Sequence, residues 1–194
     1  MPTSVSGISQ MSALVRYAFD AKASQFTVHA LAKGIVSVVA HSPKFAIRDF
    51  SGEASFMPGS LESASVRMHI KTSSLEIMDE IDSRNRREIE RLLFQDVLET
   101  SIFPEIWFES TQVTTKKVSE NRYRASVTGN LSLHGITKTH SFECQVVVGP
   151  DTLRAIGHFT LKQSHYGIVT PSFAGGSLRD GLKFAFYIVA QRKI

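Results

Sequence analysis

The sequence predicts an all-β fold with a helical insertion, arranged as a sandwich or, by preference, an eight-stranded antiparallel β-barrel, and three observations carry that reading. Apolar and polar residues alternate over most of the chain, turn-forming residues separate the alternating runs at short intervals, and one central stretch switches to helical spacing. Closure into a barrel is favoured over an open sandwich because it removes edge strands. Phe supplies 13 of the aromatics against four Tyr and one Trp, and its ring carries no polar group that would need a partner inside an apolar space. Eight strands enclose an interior just wide enough for side chains or one slender ligand.

Residues 1–22 are Ser-rich and aperiodic until Tyr17 and Phe19, and are read as a flexible arm or lead-in strand. Residues 23–194 are read as a single domain. In the first strand Phe26, Val28 and Ala30 face one way, Thr27 and His29 the other. A Val-rich run from Ile35 to Ala40 leads to Phe45, Ile47, Phe50 and Phe56, and Pro58-Gly59-Ser60 marks a reversal. Val66, Met68 and Ile70 then alternate with Arg67, His69 and Lys71, so the charged face of that strand meets water.

Between about 74 and 99 the period changes. Leu75, Met78 and Ile81 are spaced for a short helix, and Ile89, Leu92, Leu93, Val97 and Leu98 for a longer one. Pro104 ends the region, because its ring pushes Phe103 out of helical geometry. Strands resume with Ile106 and Phe108 against Trp107 and Glu109, then with Tyr123, Ala125 and Val127. Leu153, Ala155, Phe159 and Leu161 share a face, as do Leu182, Phe184, Phe186 and Ile188. Glu120-Asn121, His134-Gly135, Gly149-Pro150-Asp151 and Gly175-Gly176 supply the reversals.

Composition excludes several function classes. The net charge of +4 comes from 22 basic against 18 acidic residues spread along the chain. The densest basic run, Arg84-Asn85-Arg86-Arg87, is followed at once by Glu88 and Glu90, which marks a solvated helix face and no nucleic-acid surface. The single cysteine, Cys144, is read as a buried small apolar residue. Met1 to Val15 lacks a basic start followed by an apolar run, and no window approaches the ~18 apolar residues of a membrane span. The expectation is a cytoplasmic protein as the chain stands, periplasmic if the start is truncated, with no integral membrane insertion.

Seven histidines raise the question of a metal, especially the pairs His134/His140 and His158/His165, but the spacings fit no compact zinc motif. They are read as surface or turn residues. His134, beside Gly135, is given a structural turn role with a hydrogen bond to a neighbouring loop. Ser132, His134 and Asp180 do not make a hydrolytic triad, because no G-x-S-x-G elbow exists and the serine lies within a strand. Glu76, Asp79, Glu80 and Asp82 are read as the solvated side of the short helix. No catalytic residue, metal or cofactor is assigned.

The segment Thr128-Gly129-Asn130-Leu131-Ser132-Leu133-His134-Gly135-Ile136-Thr137-Lys138 resembles the T-G-D/N-L-T-L-H-G-V-T-K signature of YceI-like proteins. Phe103-Pro104-Glu105-Ile106-Trp107-Phe108-Glu109-Ser110 resembles that family's Y-P-x-I-x-F-x-S block, and Ser164-His165-Tyr166-Gly167-Ile168 and Leu178-Arg179-Asp180-Gly181-Leu182 fall where it has S-x-[FY]-G-[IV] and a polar turn. The resemblance spans roughly 26 to 190 and marks a divergent member, with Arg86-Arg87-Glu88-Ile89-Glu90 where many members have R-D-x-H-L. It implies an extended eight-stranded antiparallel lipocalin-like β-barrel around an apolar channel that binds polyisoprenoid chains or other amphiphiles, without catalysis.

On that footing the inward residues Phe26, Val28, Val66, Met68, Ile70, Ile106, Phe108, Tyr123, Val127, Phe142, Phe159, Phe184 and Phe186 are candidate ligand contacts. His134, Ser164, Tyr166 and Arg179 are candidates for the cavity mouth. The implied partner is an isoprenoid or fatty-acid-like small molecule, and a homodimer is one assembly open to such a barrel. Burying on the order of 300 Å² of chain would contribute about 7 kcal/mol before ordering costs. The competing expectation is a solid-core barrel that docks a partner protein through its helical insertion.

Overall fold

The computed structural model describes residues 14–33, 42–58, 60–169 and 177–193. The run Ile35–Ala40 and the Gly175-Gly176 reversal lie outside the described residues, as do Gly59 and most of the N-terminal arm. The strands are β1 (Val15–Phe19), β2 (Gln25–Lys33), β3 (Lys44–Ile47), β4 (Phe50–Met57), β5 (Ser60–Lys71) and β6 (Leu75–Ile77). After helix α1 (Ser83–Arg91) come β7 (Glu105–Ser119), β8 (Arg122–Leu133), β9 (Ile136–Val148), β10 (Thr152–Lys162) and β11 (Ser177–Arg192).

These 11 segments pair in the order β1-β4-β5-β7-β8-β9-β10-β11-β2-β3-β6, and β1 also pairs with β11, which closes the ring. Every ladder is antiparallel. β1 and β2 lie along the same side of β11, with Phe19 opposite Ala190 and Gln25 opposite Tyr187, so they are two halves of one stave. Asp20 bridges the break, its Oδ1 accepting from the Lys22 and Ala23 amides, while Ser24 Oγ accepts from the Val189 amide. β3 with β4 and β5 with β6 are likewise bent single staves. The result is the expected closed 8-strand antiparallel barrel in which each stave pairs with its sequence neighbours.

Leu75–Ile77 is a strand and not the first turn of a helix. Phe45 faces Ile77 and Ile47 faces Leu75 across the β3–β6 ladder. Two inward side chains at period 2 pair with a waiting edge, and that tertiary gain outweighs the helical spacing of Leu75, Met78 and Ile81. The acidic residues of this stretch are therefore not one helix face: Glu76 pairs with Arg48 at 2.6 Å, and Asp79 Oδ2 accepts from the Lys44 amide. Asp82 is the N-cap of α1, its Oδ1 accepting from the Arg84 and Asn85 amides at 3.0 Å. A π-helical turn over Leu92–Val97 follows. Ile81, Ile89 and Leu93 pack this segment against Val28, Phe45 and Ile77.

The β8–β9 reversal is a two-residue loop with His134 at φ 51 and Gly135 at φ 73, the left-handed pair that matches strand twist in a tight hairpin. A Cβ on Gly135 would also lie 2.7 Å from the Phe103 ring, so glycine is required there twice over. His134 Nε2 lies 2.9 Å from Glu99 Oε2 and its ring sits 4.2 Å from that of Phe103, which ties the hairpin to the end of the helical segment.

Candidate ligand cavity

Alternation along eight staves sends every second side chain into the ring, and those chains leave an apolar cavity of ≈ 180 Å³. That exceeds the ~150 Å³ apolar cavity that stays dry and admits a benzene-sized guest. Aromatic rings occupy much of the interior. Phe159 stacks on Phe184 at 4.7 Å, Phe142 meets Phe186 at 5.7 Å, and Phe26 contacts both Phe184 and Phe186. The interior is neither empty nor filled throughout.

Of the residues proposed from the sequence, Phe26, Val66, Met68, Ile70, Ile106, Phe108, Val127, Phe142, Phe159, Phe184 and Phe186 line this cavity. Val28 and Tyr123 do not. Val28 is inward but packs with Phe45 and Ile77 beneath the helical segment, and Tyr123 lines a separate hollow at the other end. Alternation fixes the face of a residue and not its height along the barrel, which is why these two sit apart from the other eleven. Phe19, Phe56, Leu61 and Leu161, absent from the sequence-derived set, also line the cavity.

The four residues assigned to a mouth gather at the end that carries the helical segment, where described apolar side chains pack together. Tyr166 is 3% exposed and packs with Leu98, Leu133, Leu161 and Ile168, and burial pushes its hydroxyl up from the usual value. Ser164 donates through its Oγ and its amide to Asp180, holding that carboxyl below the usual carboxylate range. Arg179 is exposed, and its carbonyl accepts from Gln163 Nε2. A polar-rimmed hollow of ≈ 340 Å³ lies instead at the opposite end, lined by Val15, Tyr17, Tyr123, Gly149, Pro150 and Arg192 among others. Phe56 and Leu61 border both hollow and cavity and so form the partition between them.

Polar chemistry in the wall is sparse. Ser65 Oγ is paired with Ser55 Oγ at 2.8 Å. Cys144 is buried, and burial raises its thiol to about 11. His140 lines the cavity, so it is not the surface residue expected from the sequence. Its parity with Phe142 and Cys144 was the available signal, hidden because its neighbours Lys138 to Ser141 are all polar. Ser132 pairs with Thr137, His134 with Glu99 and Asp180 with Ser164, so the three side chains of the rejected triad have separate partners. Among the described residues no three His, Cys, Asp or Glu side chains converge on a metal-sized point. Among them, too, no helix is long and apolar enough to cross a membrane.

A family model for the YceI-like domain matches residues 17–190. A UPF0312 protein of Azotobacter vinelandii is 34% identical over 91 residues, covering 47% of this chain and 42% of that protein. Another from Vibrio parahaemolyticus is 30% identical over 98 residues, 50% of this chain and 47% of that one. The chain thus matches these curated relatives over about half their length. Among solved structures, BcnA of Burkholderia cenocepacia superposes with a TM-score of 0.69 at 19% identity, over 89% of this chain and 99% of that one. A polyisoprenoid-binding domain from Saccharophagus degradans gives 0.68 at 11% identity, over 91% and 98%. At such identities the likeness is one of fold.

Proposed function

This chain belongs to the YceI-like family, and from that premise we propose that it is a non-enzymatic carrier or store for an isoprenoid or similar amphiphilic chain, held inside the barrel. The observation that carries the reading is the cavity itself, whose wall is built from apolar side chains of all eight staves. The polyisoprenoid-binding domain of the same fold supports it by likeness.

A short isoprenoid segment fits the ≈ 180 Å³ at rest. A longer one must part the Phe stack or reach past Phe56 into the outer hollow. The driving force is apolar burial at roughly 25 cal/mol per Å², which needs no charged clamp. Docking through the helical insertion is less well supported, since Ile81, Ile89 and Leu93 already pack on the barrel.

The test is native mass spectrometry of freshly purified protein, with organic extraction of whatever accompanies it. An apolar compound that co-purifies, or a prenyl lipid that binds at micromolar concentration, is the expected result. Failure of both overturns the carrier reading.

A further inference from the structure

We propose that His140 is the hydrogen-bonding residue of the cavity, and that it takes a neutral oxygen, a hydroxyl or carbonyl, borne by the bound amphiphile. The inference rests on the carrier reading and adds to it a class of ligand.

His140 stands on β9 among cavity-lining residues, edge-on to Phe159 with ring centroids 5.1 Å apart. Its Nε2 is buried and, among the described residues, has no hydrogen-bond partner. A buried polar atom left unpaired costs stability that an apolar side chain at the same place would not. None of the described residues uses this nitrogen, so the partner is to be sought in what fills the cavity.

The chemistry of the partner follows from the surroundings. Burial lowers the basicity of the imidazole, so the ring is neutral at physiological pH and offers one donor and one acceptor. No Lys, Arg, Asp or Glu among the described residues lines the cavity. An anionic head such as a diphosphate would meet no countercharge there, whereas a hydroxyl or carbonyl can be matched by a neutral ring.

Room for the contact comes from the sheet. The β9–β10 ladder pairs only Leu153–Gly157 with Cys144–Val148. Beyond Gly157 the two strands run on without ladder pairing, with His140 and Phe142 on one and Phe159 and Leu161 on the other. Each strand is held there by its outer neighbour alone, β9 by β8 and β10 by β11, which makes this the more yielding part of the wall.

The test uses geraniol, its hydrocarbon counterpart myrcene and geranyl diphosphate, each displacing a fluorescent naphthylamine probe from the wild type and from His140→Leu. Comparing the geraniol-to-myrcene affinity ratio between the two proteins cancels the cost of dehydrating the hydroxyl. Loss of one hydrogen bond should lower that ratio about 10-fold, with myrcene bound as well or better. In parallel, the ¹⁵N shift of His140 Nε2 in the wild type should move with geraniol and not with myrcene, a readout that does not depend on the variant folding. An unchanged ratio, or a ring shift indifferent to the hydroxyl, overturns the proposal and leaves the carrier reading standing. Tighter binding of the diphosphate than of geraniol overturns the neutral-oxygen assignment. If no compound displaces the probe from the wild type, the carrier reading falls first and this inference with it.

Discussion

The two ends of the barrel are finished differently. At one, long insertions between staves supply the material of a plug: Leu98 arrives from the helical segment, and Tyr166 and Ile168 from the stretch after β10, to pack on Leu133 and Leu161. At the other, the described reversals are tight, and closure depends on Tyr17 stacked on Phe56 at 5.5 Å and pinned by a hydroxyl hydrogen bond to the Gly149 carbonyl. Strands alone make a tube. Whether a mouth is stoppered depends on what the connections carry, and here, among the described residues, the end with short turns has fewer side chains to displace.

The largest effect should come from breaking the plug. Leu161 is 4% exposed within it, and Leu161→Ala should cost about 2–5 kcal/mol, read as a lower denaturant midpoint at constant slope. A loss below ~1 kcal/mol would mean that the end is not closed by this packing. Phe56→Leu tests the thinner barrier. It should cost roughly 1–3 kcal/mol, for the lost ring burial and stacking, while merging hollow and cavity, so a bound probe should dissociate faster than from the wild type. If Leu161→Ala speeds release and Phe56→Leu does not, the assignment of the easier end is reversed.

Cys144 sharpens the comparison with the smallest perturbation, because it lines the cavity and is the one cysteine of the sequence. With its thiol raised to about 11, little thiolate exists at pH 8, and labelling by a disulfide reagent should be slow in the native protein and prompt in denaturant. Phe56→Leu should quicken it. The raised value also has a stability sign: this group's contribution is full below the ordinary thiol range and is lost as pH rises through about 11.

Much of this was legible from alternation. It sent Val66, Met68 and Ile70 inward, and it sent Trp107 outward, where the ring is 53% exposed and stacks on His69 at 4.1 Å. Turn chemistry placed the His134-Gly135 reversal and gave His134 its bond to a neighbouring loop. What alternation could not encode was height. Val28 and Phe26 share a face in sequence, yet one packs under the helical segment and the other lines the cavity. Nor could a three-residue strand announce itself, since Leu75–Ile77 exists as a strand only because β3 offers it an edge. The location of the plug was hidden for the same reason, its members being scattered from Leu98 to Ile168.

The seam between β1 and β11 sets Tyr17 opposite Arg192, which joins the earliest described strand to the latest. During synthesis the ring therefore cannot close until its final stave has left the ribosome. A fold completed by so distant a pair assembles slowly, and in that interval the unsealed trough is exposed to every hydrophobic molecule nearby. On the carrier reading proposed above, cargo is embraced at the moment of sealing as readily as it is threaded in afterwards.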